Sequence, residues 1–245
     1  MGRQSELNEA FASLTESLVG DFDLAELLDR LAAYCVTLCA AGGAGIVVVD
    51  KDGVLRDVAW SSEAVRRLER RQLELGEGPC IDCVRLGRAV IEPDLSAASA
   101  RWPVFAHRAR EAGFNSVRAL PLRMRNRTLG ALNLFDIGSA NETTTADLRS
   151  AQVFADLAVL AVHHHRALPP ELAGDNITRV LADRSVIERA KGMIAEAADL
   201  TPDEACARLL AHARRTVQGP TEVAAALVAG ALAPTAVLGP VPDEE

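Results

Sequence analysis

The stretch Arg184-Ser185-Val186-Ile187-Glu188-Arg189-Ala190-Lys191-Gly192-Met193-Ile194, continuing through Thr201-Pro202-Asp203-Glu204-Ala205 to Arg214-Arg215, decides how the C-terminal part of this chain folds. Arg184 and Lys191 stand seven residues apart, two helical turns, which predicts a basic face held rigidly while Ile187 and Ile194 turn toward a core. Gly192 inside this pattern costs about 1 kcal/mol relative to Ala, so the spacing predicts a close approach to the backbone there. Asn176 can cap this first helix, whose stripe of Ile177, Val180, Leu181, Ile187, Ala190 and Ile194 runs to about Ala198. Thr201 then reads as an N-cap, Pro202 as the first helical residue, and Asp203 with Glu204 as an acidic first turn of a second helix ending at Arg215. A third helix, Thr221 to Leu232, follows Gly219-Pro220. Residues 176–232 are thus expected to form an all-α three-helix module.

Upstream, Pro169-Pro170 and Gly174-Asp175 mark 169–175 as a linker. Before it, residues 21–168 mix helices and strands without a regular βαβ repeat, which predicts an α+β domain. Asp23 starts a helix carrying Leu24, Leu27, Leu28, Leu31 and Leu38. Ala44 to Val49 and Val54 to Trp60 read as a hairpin across Asp52-Gly53, and Ser116 to Arg123 pairs with Leu129 to Phe135 across Arg125-Asn126-Arg127. Helical patterns lie over Ser62 to Leu75, Cys80 to Leu86, Pro103 to Ala112 and Asp147 to Leu168, with a short strand at Ala89 to Ile91. In residues 1–20, Leu7, Phe11, Leu14 and Leu18 form an a/d seam, which predicts a dimerisation helix working with the helix over 147–168. The end, 233–245, holds three prolines and an acidic terminus and is expected to be a disordered tail.

A chain 49% hydrophobic and 24% charged has the apolar material of a folded protein, and its net charge of −8 excludes one that coats nucleic acid nonspecifically. Any contact with nucleic acid must be local. Residues 176–232 hold seven basic side chains, at 179, 184, 189, 191, 208, 214 and 215, against seven acidic ones, at 183, 188, 196, 199, 203, 204 and 222, so this module is neutral. No apolar run has signal-peptide character or the length of a membrane span, which predicts a cytoplasmic protein away from membranes. The five cysteines, an odd number, fit reduced thiols there.

The series Leu75-Gly76-Glu77-Gly78-Pro79-Cys80, Arg101-Trp102-Pro103, Ser116 to Leu122 and Leu129-Gly130-Ala131-Leu132-Asn133-Leu134 resembles a GAF domain. That resemblance implies a PAS-like curved antiparallel sheet, with helices on one side and a ligand pocket on the other, used as a sensor of a small molecule whose identity stays open. It also places Gly130 in the middle of the sheet. From Asn176 to Gly230, the order Leu181, Arg184, Ile187, Ala190-Lys191-Gly192, Ile194, Asp203-Glu204-Ala205, Leu209 and Val223-Ala224 resembles the ANTAR domain. This second resemblance implies binding of paired RNA hairpin loops and control of transcription termination, with a homodimer presenting two modules to one transcript. It points first to Arg184 and Lys191 with Gly192, then to Arg189, Arg208, Arg214 and Arg215. Fewer basic residues follow Gly192, and join the last two helices at Val217-Gln218-Gly219-Pro220, than in many ANTAR domains.

Two further readings stay open. Cys80 and Cys83 form a CxxC at a helix start, where a lowered thiol pKa permits redox switching; the plainer reading puts Cys80 in a buried corner behind the Gly-Pro turn. Some GAF-fold proteins reduce free methionine sulfoxide, so a thiol-dependent reductase is one alternative, and a protein-docking module without RNA contact is the other. No Ser/His/Asp grouping, phosphate loop or paired carboxylate stands out, and the chain is expected not to be an enzyme. No metal site is expected either: Cys35 and Cys39 alternate with Leu31 and Leu38 as core residues, and His163-His164-His165 point in different directions on one helix.

Overall fold

The computed structural model describes residues 2–19, 22–137, 144–167, 176–216 and 218–238, with the side chains of 165–167 and 176–181 undescribed. The chain divides into two units, Met1–Asn176 and Ile177–Glu245. The expected linker at 169–175 lies outside the described residues.

The first unit runs α1 (Arg3–Val19), α2 (Leu24–Leu38), β1 (Gly43–Val49), β2 (Leu55–Trp60), α3 (Glu63–Leu75), α4 (Pro79–Leu86), β3 (Val90–Glu92), α5 (Pro103–Glu111), β4 (Ser116–Met124), β5 (Arg127–Asp136) and α6 (Thr145–Ala167). A 3₁₀ turn at Ala97–Ala100, which no periodicity announces, precedes α5. The strands form one antiparallel sheet in the order β2-β1-β5-β4-β3, so β5, with Gly130, is central as expected. Helices start where their caps dictate: the Asp23 carboxylate accepts from the Glu26 N–H at 2.9 Å, and the Ser62 hydroxyl accepts from the Val65 N–H at 3.4 Å.

Strand alternation splits the core into two layers. On one face, β1, β2 and β4 meet α2 and α6. On the other, Val47, Val117, Ala119, Ala131 and Phe135 pack against Val65, Leu68, Cys80, Cys83, Trp102, Phe105 and Phe114 from α3 to α5 and their loops. On this second face, where the resemblance puts a ligand pocket, aromatic rings pack against the sheet, with Trp102 and Phe105 edge to face at 6.0 Å. Because helices cover both faces, β4 and β5 are buried almost end to end, and their polar residues must find partners inside the protein.

The seam of α1 finds its partner in its own chain. Leu7, Ala10 and Leu14 are buried, Phe11 meets Phe154 of α6 at 4.9 Å, and Arg30 of α2 donates to Ser13 at 2.6 Å and to Ser17 at 3.0 Å. Arg3 reaches the Leu38 carbonyl at 2.7 Å and the Asp147 carboxylate. Leu7 and Leu14 of the expected seam are thus buried within the unit, while Phe11 and Leu18 are half-buried.

The second unit holds α7 (Asn176–Ala198), α8 (Pro202–Thr216) and α9 (Pro220–Val228) around Ala190, Ile194, Ala205, Leu209, Ala213, Val223, Ala224 and Leu227. The tail corrects one expectation. Pro234–Val237 forms a 3₁₀ turn and Val237 is fully buried in this core, because a short three-helix cluster gains apolar burial from one more side chain. Residues 239–245 of the expected tail lie outside the described residues.

Candidate functional site

The candidate RNA-contacting residues divide by angle around α7. Three residues of helix turn a side chain through about 300°, so Arg184 and Lys191 lie only about 60° from Ile187 and Ile194. They flank the core stripe and do not stand opposite it. Arg184 is accordingly 8% exposed and Lys191 7% exposed, and the Lys191 ammonium pairs with Glu188 Oε1 at 2.9 Å. The expectation of a basic face at these two positions is corrected: their stems cover apolar surface, and the Lys191 charge already has a partner. On the far side of the same helix, Arg189 and Gly192 are exposed, and a Cβ built on Gly192 meets nothing within 4 Å. No neighbour inside the fold requires glycine at this position.

On α8, Arg214 and Arg215 are exposed in the last turn and Arg208 is half-buried. The start of this helix is set by Thr201, whose hydroxyl accepts from the Glu204 N–H at 3.3 Å, while Glu204 Oε2 accepts from the Thr201 N–H at 2.8 Å. The same backbone bond holds the Glu204 carboxyl below its usual range. Acid at the start and base at the end complement the helix dipole and leave two guanidinium groups facing solvent. The surface of this unit therefore offers Arg189, Arg214, Arg215 and the bare backbone at Gly192.

In the first unit, the Cys80-Ile81-Asp82-Cys83 segment opens α4, as expected, but both thiols are fully buried. Burial pushes the Cys80 thiol well above its usual value, with the nearby Glu69 carboxyl adding to the rise, and pushes Cys83 up to about 12. The redox expectation for this pair assumed a thiolate favoured by the helix start; desolvation outweighs that field, and Cys80 fills the corner behind Pro79. Asp82, between them, accepts from Arg101 Nε at 2.9 Å and Trp102 Nε1 at 3.1 Å, tying α4 to the start of α5. Cys35 and Cys39 are buried as core residues, and His163 and His164 are exposed. No group of His, Cys, Asp or Glu that could hold a metal occurs among the described residues.

Two buried polar clusters escaped the sequence reading. Asn133 Nδ2 of β5 donates to both oxygens of the Glu69 carboxyl, at 2.8 and 3.0 Å; Gln72 Nε2 donates to the same group at 3.0 Å, and Gln72 Oε1 accepts from the Cys80 N–H at 3.0 Å. On the other face of the sheet, Arg118 grips Asp136 with Nη2 at 2.7 Å and Nε at 3.1 Å. The available signal was a charged or amide residue at an inward position of an otherwise apolar strand.

No curated protein matches the chain. Among solved structures, the GAF domain of a phosphoenolpyruvate-protein phosphotransferase from Acinetobacter superposes with a TM-score of 0.52 at 13% identity, covering 69% of this chain and 99% of that one. A free methionine-R-sulfoxide reductase from Neisseria meningitidis gives 0.51 at 16% identity, covering 68% and 93%. The GAF domain of a phosphoenolpyruvate-protein phosphotransferase from Coxiella burnetii gives 0.50 at 14%, covering 66% and 95%. These likenesses are of fold. No helix among the described residues is long and apolar enough to cross a membrane. The GAF domain model matches residues 23–163, over half of the chain, and the ANTAR domain model matches 175–228. The chain therefore belongs to the GAF family and carries an ANTAR domain after its GAF domain.

Proposed function

We propose that this protein is a signal-responsive RNA-binding regulator of transcription termination, in which the GAF domain senses and the ANTAR domain binds RNA hairpin loops. The observation that carries this reading is the pairing of the two domains on one chain. Within the second unit, the exposed Arg189, Arg214 and Arg215 supply phosphate contacts, and the open backbone at Gly192 accepts a close approach by a loop base. Arg208 lies part-way into the surface, and Arg184 and Lys191 shape the helix they flank. The alternative of a thiol-dependent methionine sulfoxide reductase draws no support from cysteines buried in their protonated form.

Titration of a two-hairpin RNA by fluorescence anisotropy tests this. Replacing Arg189, Arg214 and Arg215 together with Gln is expected to weaken binding and to flatten the salt dependence by about 2 in slope, at about 0.7 per lost single-strand phosphate contact. Equal affinity and slope for parent and variant would remove these arginines from the interface, and absence of binding by the parent would remove the reading itself.

The homodimer belongs to the same proposal, on a surface other than the α1 seam. Val153 and Leu160 stand seven residues apart on α6 and are 43% and 54% exposed, a stripe fit to meet its own copy. Sedimentation velocity should show a dimer that Val153→Lys with Leu160→Lys converts to monomer. A parent chain that remains monomeric at high concentration, with and without RNA, defeats this part.

A further inference from the structure

Helices α3 and α5 leave between them a cavity of about 610 Å³ whose walls carry Arg67, Arg70, Arg71 and Glu74 from one helix and Arg108 and Glu111 from the other. Four guanidinium groups against two carboxylates give the groove a formal charge of +2, in a chain whose net charge is −8. We propose that this groove binds a small anion carrying a pyrophosphate group. The site lies within the first unit and stands whether or not the second binds RNA.

The spacing builds the groove. Residues 67, 70, 71 and 74 share one face of α3 at helical i, i+3 and i+4 intervals, and 108 and 111 do the same on α5. Ala64, Leu68 and Ala112 complete the lining without a polar side chain, so the recognition groups are the charged side chains. Existing ion pairs are exposed: Arg71 to Glu74 at 3.1 Å, Arg108 to Glu111 at 2.7 Å, and a long contact from Arg67 to Glu63 at 3.9 Å. Pairs of this kind hold weakly in water, so a more highly charged anion exchanges with the carboxylates.

The class of ligand follows from the lining. A planar guanidinium fork matches phosphate oxygens with two parallel hydrogen bonds, and arginines from two helices suit two linked phosphates better than one. The volume falls within the range of small-ligand sites. No aromatic side chain lines the groove, so a nucleobase has no stacking surface and the phosphates are the recognised part.

Isothermal titration calorimetry of the full chain with inorganic pyrophosphate at low salt tests this. Saturable binding is expected, weakened at least about tenfold in the double variant Arg70→Gln with Arg71→Gln. Glu111→Gln should tighten binding by removing the competing carboxylate. The pair Arg125→Gln with Arg127→Gln, in the turn between β4 and β5, should leave it unchanged, with circular dichroism verifying that each variant is folded. ADP, tested as a second probe, should bind about as tightly as pyrophosphate and compete with it. Absence of saturable binding at millimolar pyrophosphate, equal weakening by the control pair, or ADP binding that pyrophosphate does not displace overturns the proposal.

Discussion

Asp136→Asn is expected to destabilise the GAF unit by about 3–5 kcal/mol, because it leaves Arg118 as an uncompensated buried charge. Both side chains of the pair lie out of water, and the Asp136 carboxylate is gripped by two guanidinium nitrogens, with the Ser116 hydroxyl donating to it at 3.3 Å. Arg118 Nη1 is buried without a hydrogen-bond partner among the described residues. The pair's net contribution relative to apolar side chains is small, while breaking it from one side is costly. The joint replacement Arg118→Met with Asp136→Leu should therefore recover most of the loss. Both tryptophans, Trp60 and Trp102, lie in this unit, so their fluorescence follows its unfolding alone. In a unit of this size the single variant should melt about 10 °C lower. A loss under about 1 kcal/mol would mean that water reaches Arg118 in the folded protein.

Elements and their order were legible because apolar spacing, caps and turn residues act locally: Asp23, Ser62 and Thr201 begin helices where they stand in the sequence. What the spacing could not show was which side of a stripe faces inward. Lys191 repeats Arg184 after two turns, yet three residues further on sits the core residue Ile194, and a position only about 60° from the core stripe is a flank and not a solvent face. Burial of Glu69 was hidden for a different reason. A glutamate among Arg66, Arg67, Arg70 and Arg71 reads as a surface charge, and the Asn133 amide from β5, 64 residues away, together with Gln72 makes an interior position tolerable. The glycines on β1 and β5 are explained in the same way. A Cβ on Gly45 would collide with Glu69 Oε1, and a Cβ on Gly130 would collide with the Val47 carbonyl oxygen and lie 2.9 Å from Val48 Cα. One glycine makes room for the buried carboxyl, the other for the adjacent strand.

That buried carboxyl should make the GAF unit less stable as pH rises from about 5 to about 8. Burial raises Glu69 from its ordinary 4.5 to about 8, against the opposing hydrogen bonds from Asn133 and Gln72. Between those values the folded state holds a proton that the unfolded state has lost, so unfolding releases it and stability falls with increasing pH. The span of 8 − 4.5 = 3.5 pH units, at about 1.4 kcal/mol each, bounds the loss at about 5 kcal/mol, which local relaxation reduces. Carboxylates held low act elsewhere on the scale: Asp50, stabilised by the Val54 N–H, and Glu204, by the Thr201 N–H, change their contribution at or below the ordinary carboxylate range. Glu69→Gln carries no titrating proton yet keeps the shape that Gly45 accommodates, so its stability should be flat over this interval and exceed that of the parent near pH 8. Urea unfolding followed by tryptophan fluorescence at a series of pH values measures both slopes. A variant whose slope equals the parent's would show that Glu69 is ionised within the fold, and water at the Gly45 contact would then be required to hold the charge.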